Sequence, residues 1–189
     1  MSHGHHAEHG ASSNKKIAIF IAALAALLAV SEAGGKSAQT AALFHNINAT
    51  NLWAFFQAKT IRQTTLRAAA ETADITPADA LPAPLAEARK KQLQQWRDTV
   101  ARYDSEPATG EGRKELMARA KALEEQRDRA MAAYHLFELS SGAFQIAIVL
   151  ASAAIIRGVA WLVYAGGALC ALGLALGGLG WFAPTLIHL

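Results

Sequence analysis

The sequence predicts an all-α integral membrane protein: three transmembrane helices, with a long coiled-coil-like helical hairpin between the first and second. Three observations predict it. Residues 17–30, 143–156 and 158–187 carry no charge at all. The stretch 36–141 holds 15 of the 18 Lys/Arg and 13 of the 15 Asp/Glu. From Lys36 to Ala73 there is neither proline nor glycine, so nothing in the charged middle stops a helix that the first apolar run has started.

Composition limits the functional classes. Over half the residues are apolar and 17 % are charged, yet the two kinds are segregated along the chain. The middle segment is close to neutral, 15 positive against 13 negative, so the net charge of +3 supplies no clustered basic face for nucleic acid. The one cysteine, Cys170, lies inside an apolar run and excludes a disulfide framework. No cofactor is indicated.

Taken in order, residues 1–16 form a His-rich tail that is expected to be disordered. His3, His5, His6 and His9 are spaced closely enough to hold Zn, Ni or Cu. A defined site also needs fixed geometry and supporting hydrogen bonds, so incidental binding is the expectation. The first span covers 17–35. Its uncharged part, Ile17–Val30, reaches only about 21 Å, and adding Ser31–Gly35 brings it near 28 Å. Glu32 is then expected at the interface, one turn from Lys36. Lys15-Lys16 with Ser31-Glu32-Ala33 also fits a cleaved signal peptide, but the helical pattern runs past Ala33 unbroken.

The soluble domain is placed at 36–141. In its first helix Ile47, Asn51, Ala54, Ala58, Ile61, Thr65 and Ala68 alternate at three- and four-residue spacing, a narrow seam of the coiled-coil kind. Residues 74–84, with Pro77, Pro82 and Pro84, read as the tip. A second helix runs from near Leu85 to about Asp104, and 105–112 breaks it. A third begins near Glu111 with the seam Leu116, Ala120, Leu123, Arg127, Ala130, Tyr134, Phe137, Ser141. The returning helices are longer than the outgoing one, which predicts that the second overlaps the third. The second span follows at 142–156. Arg157-Gly158 leaves room only for a tight turn, and the third span takes 159–183. Small residues recur at four-residue spacing in all three spans: Ala22/Ala26 and Ala25/Ala29/Ala33, then Ala143/Ala147/Ala151, then Gly173/Gly177. Such stripes let helices approach closely in lipid.

Other motifs are weak. Gly34-Gly35-Lys36-Ser37 ends like a phosphate-binding loop, but Val30 stands where the first glycine belongs and no strand precedes it. Gly110-Glu-Gly-Arg-Lys reads as helix entry rather than an anion site. Asn51 and Arg127 read as polar register-setters in apolar seams, Arg127 against a carboxylate of a neighbouring helix. His135 has no visible metal or catalytic partner. Asn48-Ala-Thr50 matches a glycosylation acceptor incidentally, and Trp53 reads as a packing residue. Gln145 is the main polar group in a span. No ionisable residue is expected at depth, which argues against a pump or secondary transporter.

The blocks Glu-Ala-Gly-Gly-Lys-Ser-Ala-Gln-Thr (32–40), Asn-Leu-Trp-Ala-Phe-Phe-Gln-Ala-Lys-Thr-Ile-Arg-Gln-Thr (51–64), Gly-Glu-Gly-Arg-Lys-Glu-Leu-Met-Ala-Arg-Ala-Lys (110–121) and Gln-Ile-Ala-Ile-Val-Leu-Ala-Ser (145–152) resemble the bacterial membrane proteins grouped as domain of unknown function 4337. The resemblance covers nearly all the chain after the tail. It implies three spans, a helical middle and no assigned activity.

Lys15, Lys16 and Arg157 lie on one side of the membrane, and Lys36, Arg127 and Arg129 near it on the other. The short segments decide such a tie and place the N-terminus in the cytoplasm and the helical domain in the periplasm. The expectation is therefore a multi-pass protein of the bacterial inner membrane, not an enzyme, that self-associates and organises the envelope. Its partners are the bilayer and further copies, with room for an unidentified envelope protein. The alternative is a small oligomeric channel or stress sensor.

Overall fold

The computed structural model describes residues 5–75 and 81–186, with side chains from Lys15 onward. Helix α1 spans His5–Asp74, α2 Ala83–Asp104, α3 Arg113–Arg157 and α4 Trp161–Phe182. No strand occurs among the described residues. α1, α3 and α4 are each long and apolar enough to cross a membrane.

Local chemistry sets the helix ends. α1 begins at His5, so the tail expected to be disordered is helical from there. With no proline in the way, each added residue extends an existing ladder at little cost. His3 lies outside the described residues, as do the side chains of His5, His6 and His9 and part of the expected tip, 76–80. Pro82 precedes α2 and Pro84 stands in its first turn, where a missing N–H costs nothing. Gly158, at φ +66°, ends α3 in the left-handed conformation that glycine adopts freely, and three residues (158–160) link α3 to α4.

The chain divides into two compact units, Met1–Leu43 with Arg127–Leu189, and Phe44–Gln126. In the first, α1 buries or half-buries Ile17, Ile21, Leu24, Leu28, Ser31, Gly35, Ala38 and Ala42, again at alternating four and three. The expected stripe Ala22, Ala25, Ala26, Ala29 and Ala33 is exposed instead. The phase follows the larger side chains, because Leu24 packs with Phe144 and Ala147 at the centre of the unit. From Arg127 on, α3 holds Arg127, Ala130, Tyr134, Phe137 and Ser141 buried or half-buried, as its pattern predicts.

In the second unit the expected α1 seam is wrong in phase. Ile47, Asn51, Ala54, Ala58, Ile61, Thr65 and Ala68 are all exposed. The opposite face carries the packing: His45, Ala49, Leu52, Phe56, Lys59, Gln63, Leu66 and Ala70. Lys59 and Gln63 are polar, and they are buried because neighbouring segments supply their partners. Contacts from the end of α2 and the start of α3 converge on α1 around Lys59–Gln63: Val100 and Arg113 on Gln63, Glu106 and Glu111 on Lys59. The end of α2 therefore meets the start of α3, where Asp104 pairs with Arg113 and Lys114. The overlap expected from the helix lengths is replaced there by a succession along α1.

Candidate functional site

α4 gives a ruler for membrane depth. It exposes Trp161 and Tyr164 at one end and Trp181 and Phe182 at the other. Amphipathic aromatics favour the two interfaces. The 20 steps from Trp161 to Trp181 rise about 30 Å, the thickness of a hydrocarbon core.

Three glycines seven residues apart fix how α3 lies on this ruler. Gly166, Gly173 and Gly180 are all buried. A Cβ on Gly166 would lie 3.3 Å from the Ala147 carbonyl, one on Gly173 2.8 Å from the Phe144 ring, and one on Gly180 3.4 Å from Ala133 and Leu136. Gly173 and Gly177 are the small pair expected from sequence. Gly177 is only half-buried, its missing Cβ 3.1 Å from Ser140 Oγ. Ala143, Ala147 and Ala151 are buried within the chain.

The same ruler gives the depth of the polar groups. Ser140 Oγ donates to the Gly173 carbonyl at 2.7 Å, and Ser31 Oγ lies 2.8 Å from Ser140 Oγ. Both serines are buried. A hydroxyl chain ending on a carbonyl satisfies groups that would otherwise be orphaned in an apolar setting. Next to Ser31, the Glu32 carboxylate accepts from Gln145 Nε2 at 3.5 Å, the long limit of a hydrogen bond. Gln145 follows Phe144, the residue seated on Gly173. Glu32 and Gln145 thus meet at the level of Gly173–Gly177, roughly 6–12 Å inside Trp181.

Glu32 lies one turn before Lys36, as expected, and its contact with Gln145 is what the sequence reading lacks. One apolar run judged alone cannot give its own register against the other two. The groove around this pair, about 560 Å³, continues past Lys36 and Glu138 to Gln39 and Tyr134. His135 Nδ1 lies 3.7 Å from Glu138 Oε2 one turn on.

The remaining motifs find structural roles. Gly34 and Gly35 sit inside α1 under the Phe137 side chain, with a Cβ on Gly34 2.9 Å from its ring, so no loop exists there to hold a phosphate. Arg127 is half-buried, and Asp128 on its own helix accepts from its Nε and Nη2, both at 2.9 Å. The expectation was a carboxylate from a neighbouring helix. Asn51 is exposed, away from any seam of its own unit. Cys170 is a half-buried free thiol beside Leu24 and Phe144.

In the second unit a polar lock forms where the three helices meet. Arg113 Nη1 donates to Gln63 Oε1 at 2.6 Å and its Nε to Thr60 Oγ1 at 2.9 Å, with the guanidinium over the Phe56 ring. Gln63 Nε2 donates to the Val100 carbonyl at 3.0 Å. Trp53 Nε1 donates to Glu124 at 2.9 Å. These partners lie 37 to 71 residues from their mates, beyond the reach of pattern reading within one helix. The 105–112 segment is held by Glu115, which accepts from Ser105 Oγ at 2.6 Å and Glu106 N at 3.1 Å. The Ser105 hydrogen bond keeps the Glu115 carboxyl below its ordinary pKa, and the Lys114 bond does the same for Asp104. Gly110 stands at φ +69°, and a Cβ on Gly112 would collide with Glu115, Ser105 and the Glu106 backbone. The Gly-Glu-Gly motif is thus a helix entry closed by the chain's own carboxylate.

The family model for domain of unknown function 4337 (DUF4337) matches residues 13–183, and the chain belongs to that family. No curated protein and no solved structure matches it.

Proposed function

We propose that this DUF4337 member is a non-catalytic scaffold of the bacterial inner membrane, self-associating through the outer face of α1. The single observation that carries this reading is the exposed stripe Ile47, Asn51, Ala54, Ala58, Ile61, Thr65, Ala68. It repeats at coiled-coil spacing on the side of α1 opposite the face already packed. Ile47 is 59 % exposed and Ile61 67 %. A second copy is the occupant best suited to a self-similar stripe with one asparagine, since an Asn facing its own counterpart fixes register and copy number. The helical middle lies in the periplasm in this reading, on the strength of the short basic segments.

Cysteine cross-linking in native membranes tests it. In a Cys170→Ala background, Ala54→Cys and Ala58→Cys each form disulfide dimers under mild oxidation, and Thr64→Cys, on the flank, does not. Equal cross-linking at all three positions, or none, overturns the reading. The alternative, a small oligomeric channel or stress sensor, is favoured by one observation, the polar groove around Glu32.

A further inference from the structure

We propose that the groove between Lys16 on α1 and the turn joining α3 to α4 binds an anionic phospholipid, whose phosphate is held by Lys16, Arg157 and Tyr164 at the Trp161 end of the membrane segment. The inference rests on α1, α3 and α4 crossing a bilayer and does not depend on self-association.

The described charges at this end have one sign. Lys15 and Lys16 on α1 and Arg157, the last residue of α3, are all exposed. α4 carries no charged residue. Along the chain the nearest acidic residues are Glu8, seven residues before Lys15, and Glu32 and Glu138, sixteen and nineteen residues from Lys16 and Arg157. None of the ion pairs among the described residues includes Lys15, Lys16 or Arg157. The Trp181 end differs, because the groove that holds Lys36 there also holds Glu32 and Glu138. An anion in the membrane surface is therefore drawn to the Trp161 end.

The groove gives that attraction a shape. Lys16, Gly158 and Tyr164 line it together with Ile17, Ala154 and Val163, around a volume of about 350 Å³. Lys16 and Tyr164 are exposed, whereas Ala154 is buried and Ile17 and Val163 are half-buried. Its exposed part thus offers a cation and a phenol, and its buried part offers apolar surface. A phospholipid has the same order, phosphate outermost and hydrocarbon beneath. Exposed Trp161 and Tyr164 mark this level as that of the headgroups, so lipid phosphate already lies at the height of Lys16. Arg157 adjoins Gly158, and a guanidinium takes phosphate oxygens two at a time. A free phosphate uses the charges alone, and a lipid uses the apolar walls as well. Lys15 does not line the groove, since it stands about 100° round the helix from Lys16.

Native mass spectrometry of the full chain in non-ionic detergent tests this, with phosphatidylglycerol and phosphatidylcholine added in equal amounts. The parent chain retains phosphatidylglycerol in preference. Lys16→Gln lowers that preference about fivefold, and Lys16→Gln with Arg157→Gln lowers it about tenfold or more. A non-ionic micelle has no surface charge, so Lys15→Gln, off the groove, and Lys36→Gln, at the other end, each leave the preference within about twofold of the parent. No preference in the parent, or equal losses for Lys15→Gln and Lys16→Gln, overturns the site. Excess glycerol 3-phosphate leaves the bound lipid in place, and displacement by it overturns the lipid in favour of a free phosphoester. In vesicles of equal parts of the two lipids, benzoylphenylalanine in place of Tyr164 photo-cross-links to phosphatidylglycerol above its share. Cross-linking in proportion to the lipids, or to another copy of the chain, overturns the proposal.

Discussion

Replacing Gly112 with alanine should release the 105–112 segment from α3. The new Cβ would collide with the Glu115 carboxylate, the Glu106 backbone N and Ser105 Cα. Two of these belong to the backbone, so a rotamer change cannot relieve the clash, and the segment must move away. Movement breaks both Glu115 bonds, from Ser105 Oγ and Glu106 N. Losing two hydrogen bonds to a charged acceptor, offset in part by re-solvation of the freed carboxylate, should raise local opening by roughly tenfold or more. Hydrogen exchange on the full chain in detergent or lipid reads it directly. The amides to follow are Glu106, Gly110, bonded to the Glu106 carbonyl, and Leu116, bonded to the Gly112 carbonyl. Exchange at all three within about threefold of the parent would refute the argument, because the opening free energy would then be unchanged. Ala49 and Ala147, remote from the segment, should keep their rates.

Acidification should produce a milder version of the same opening. Glu115 and Asp104 have folded-state pKa values below their ordinary ones, owing first to the Ser105 and Lys114 hydrogen bonds. Their stabilisation is complete above the ordinary carboxylate range and is lost as pH falls through the lowered values, so 105–116 exchange should rise only in that acid window. Gly173→Ala should destabilise the detergent-solubilised protein by about 1–3 kcal/mol in thermal or denaturant melts, since the buried Phe144 ring has to yield. Gly178→Ala, which meets nothing within 4 Å, should be neutral. Arg113→Lys keeps the charge but cannot reach Gln63 and Thr60 together, and should raise exchange at the meeting of α2 and α3 by about tenfold or more.

What was legible in the sequence follows from what one segment reveals about itself. Charge segregation marks three apolar helices, and Pro82, Pro84 and Gly158 mark where helices start and stop. The α3 seam from Leu116 to Ser141 was readable because its residues are nearly all apolar. The α1 seam was misread by half a turn. Two stripes with identical spacing compete there, and the one that packs contains His45, Lys59 and Gln63. Apolarity selects the other. Only the distant partners at Val100, Glu106 and Arg113 make the polar face the inner one. The meeting of Glu32 with Gln145 was hidden for a related reason. It depends on the register of α1 against α4, which the Gly166–Gly173–Gly180 repeat sets through α3 and which no single run displays. That repeat was itself in plain view, a glycine every seventh residue, but a search at four-residue spacing passes over it.

The three-residue link at 158–160 also bears on how the protein is made. A nascent helix must clear the insertion machinery before its successor can reverse direction, and three residues provide no slack for the two to part company. The link keeps the adjoining ends of α3 and α4 together from the moment both exist, so the glycine face of α4 finds α3 with little loop-closure cost.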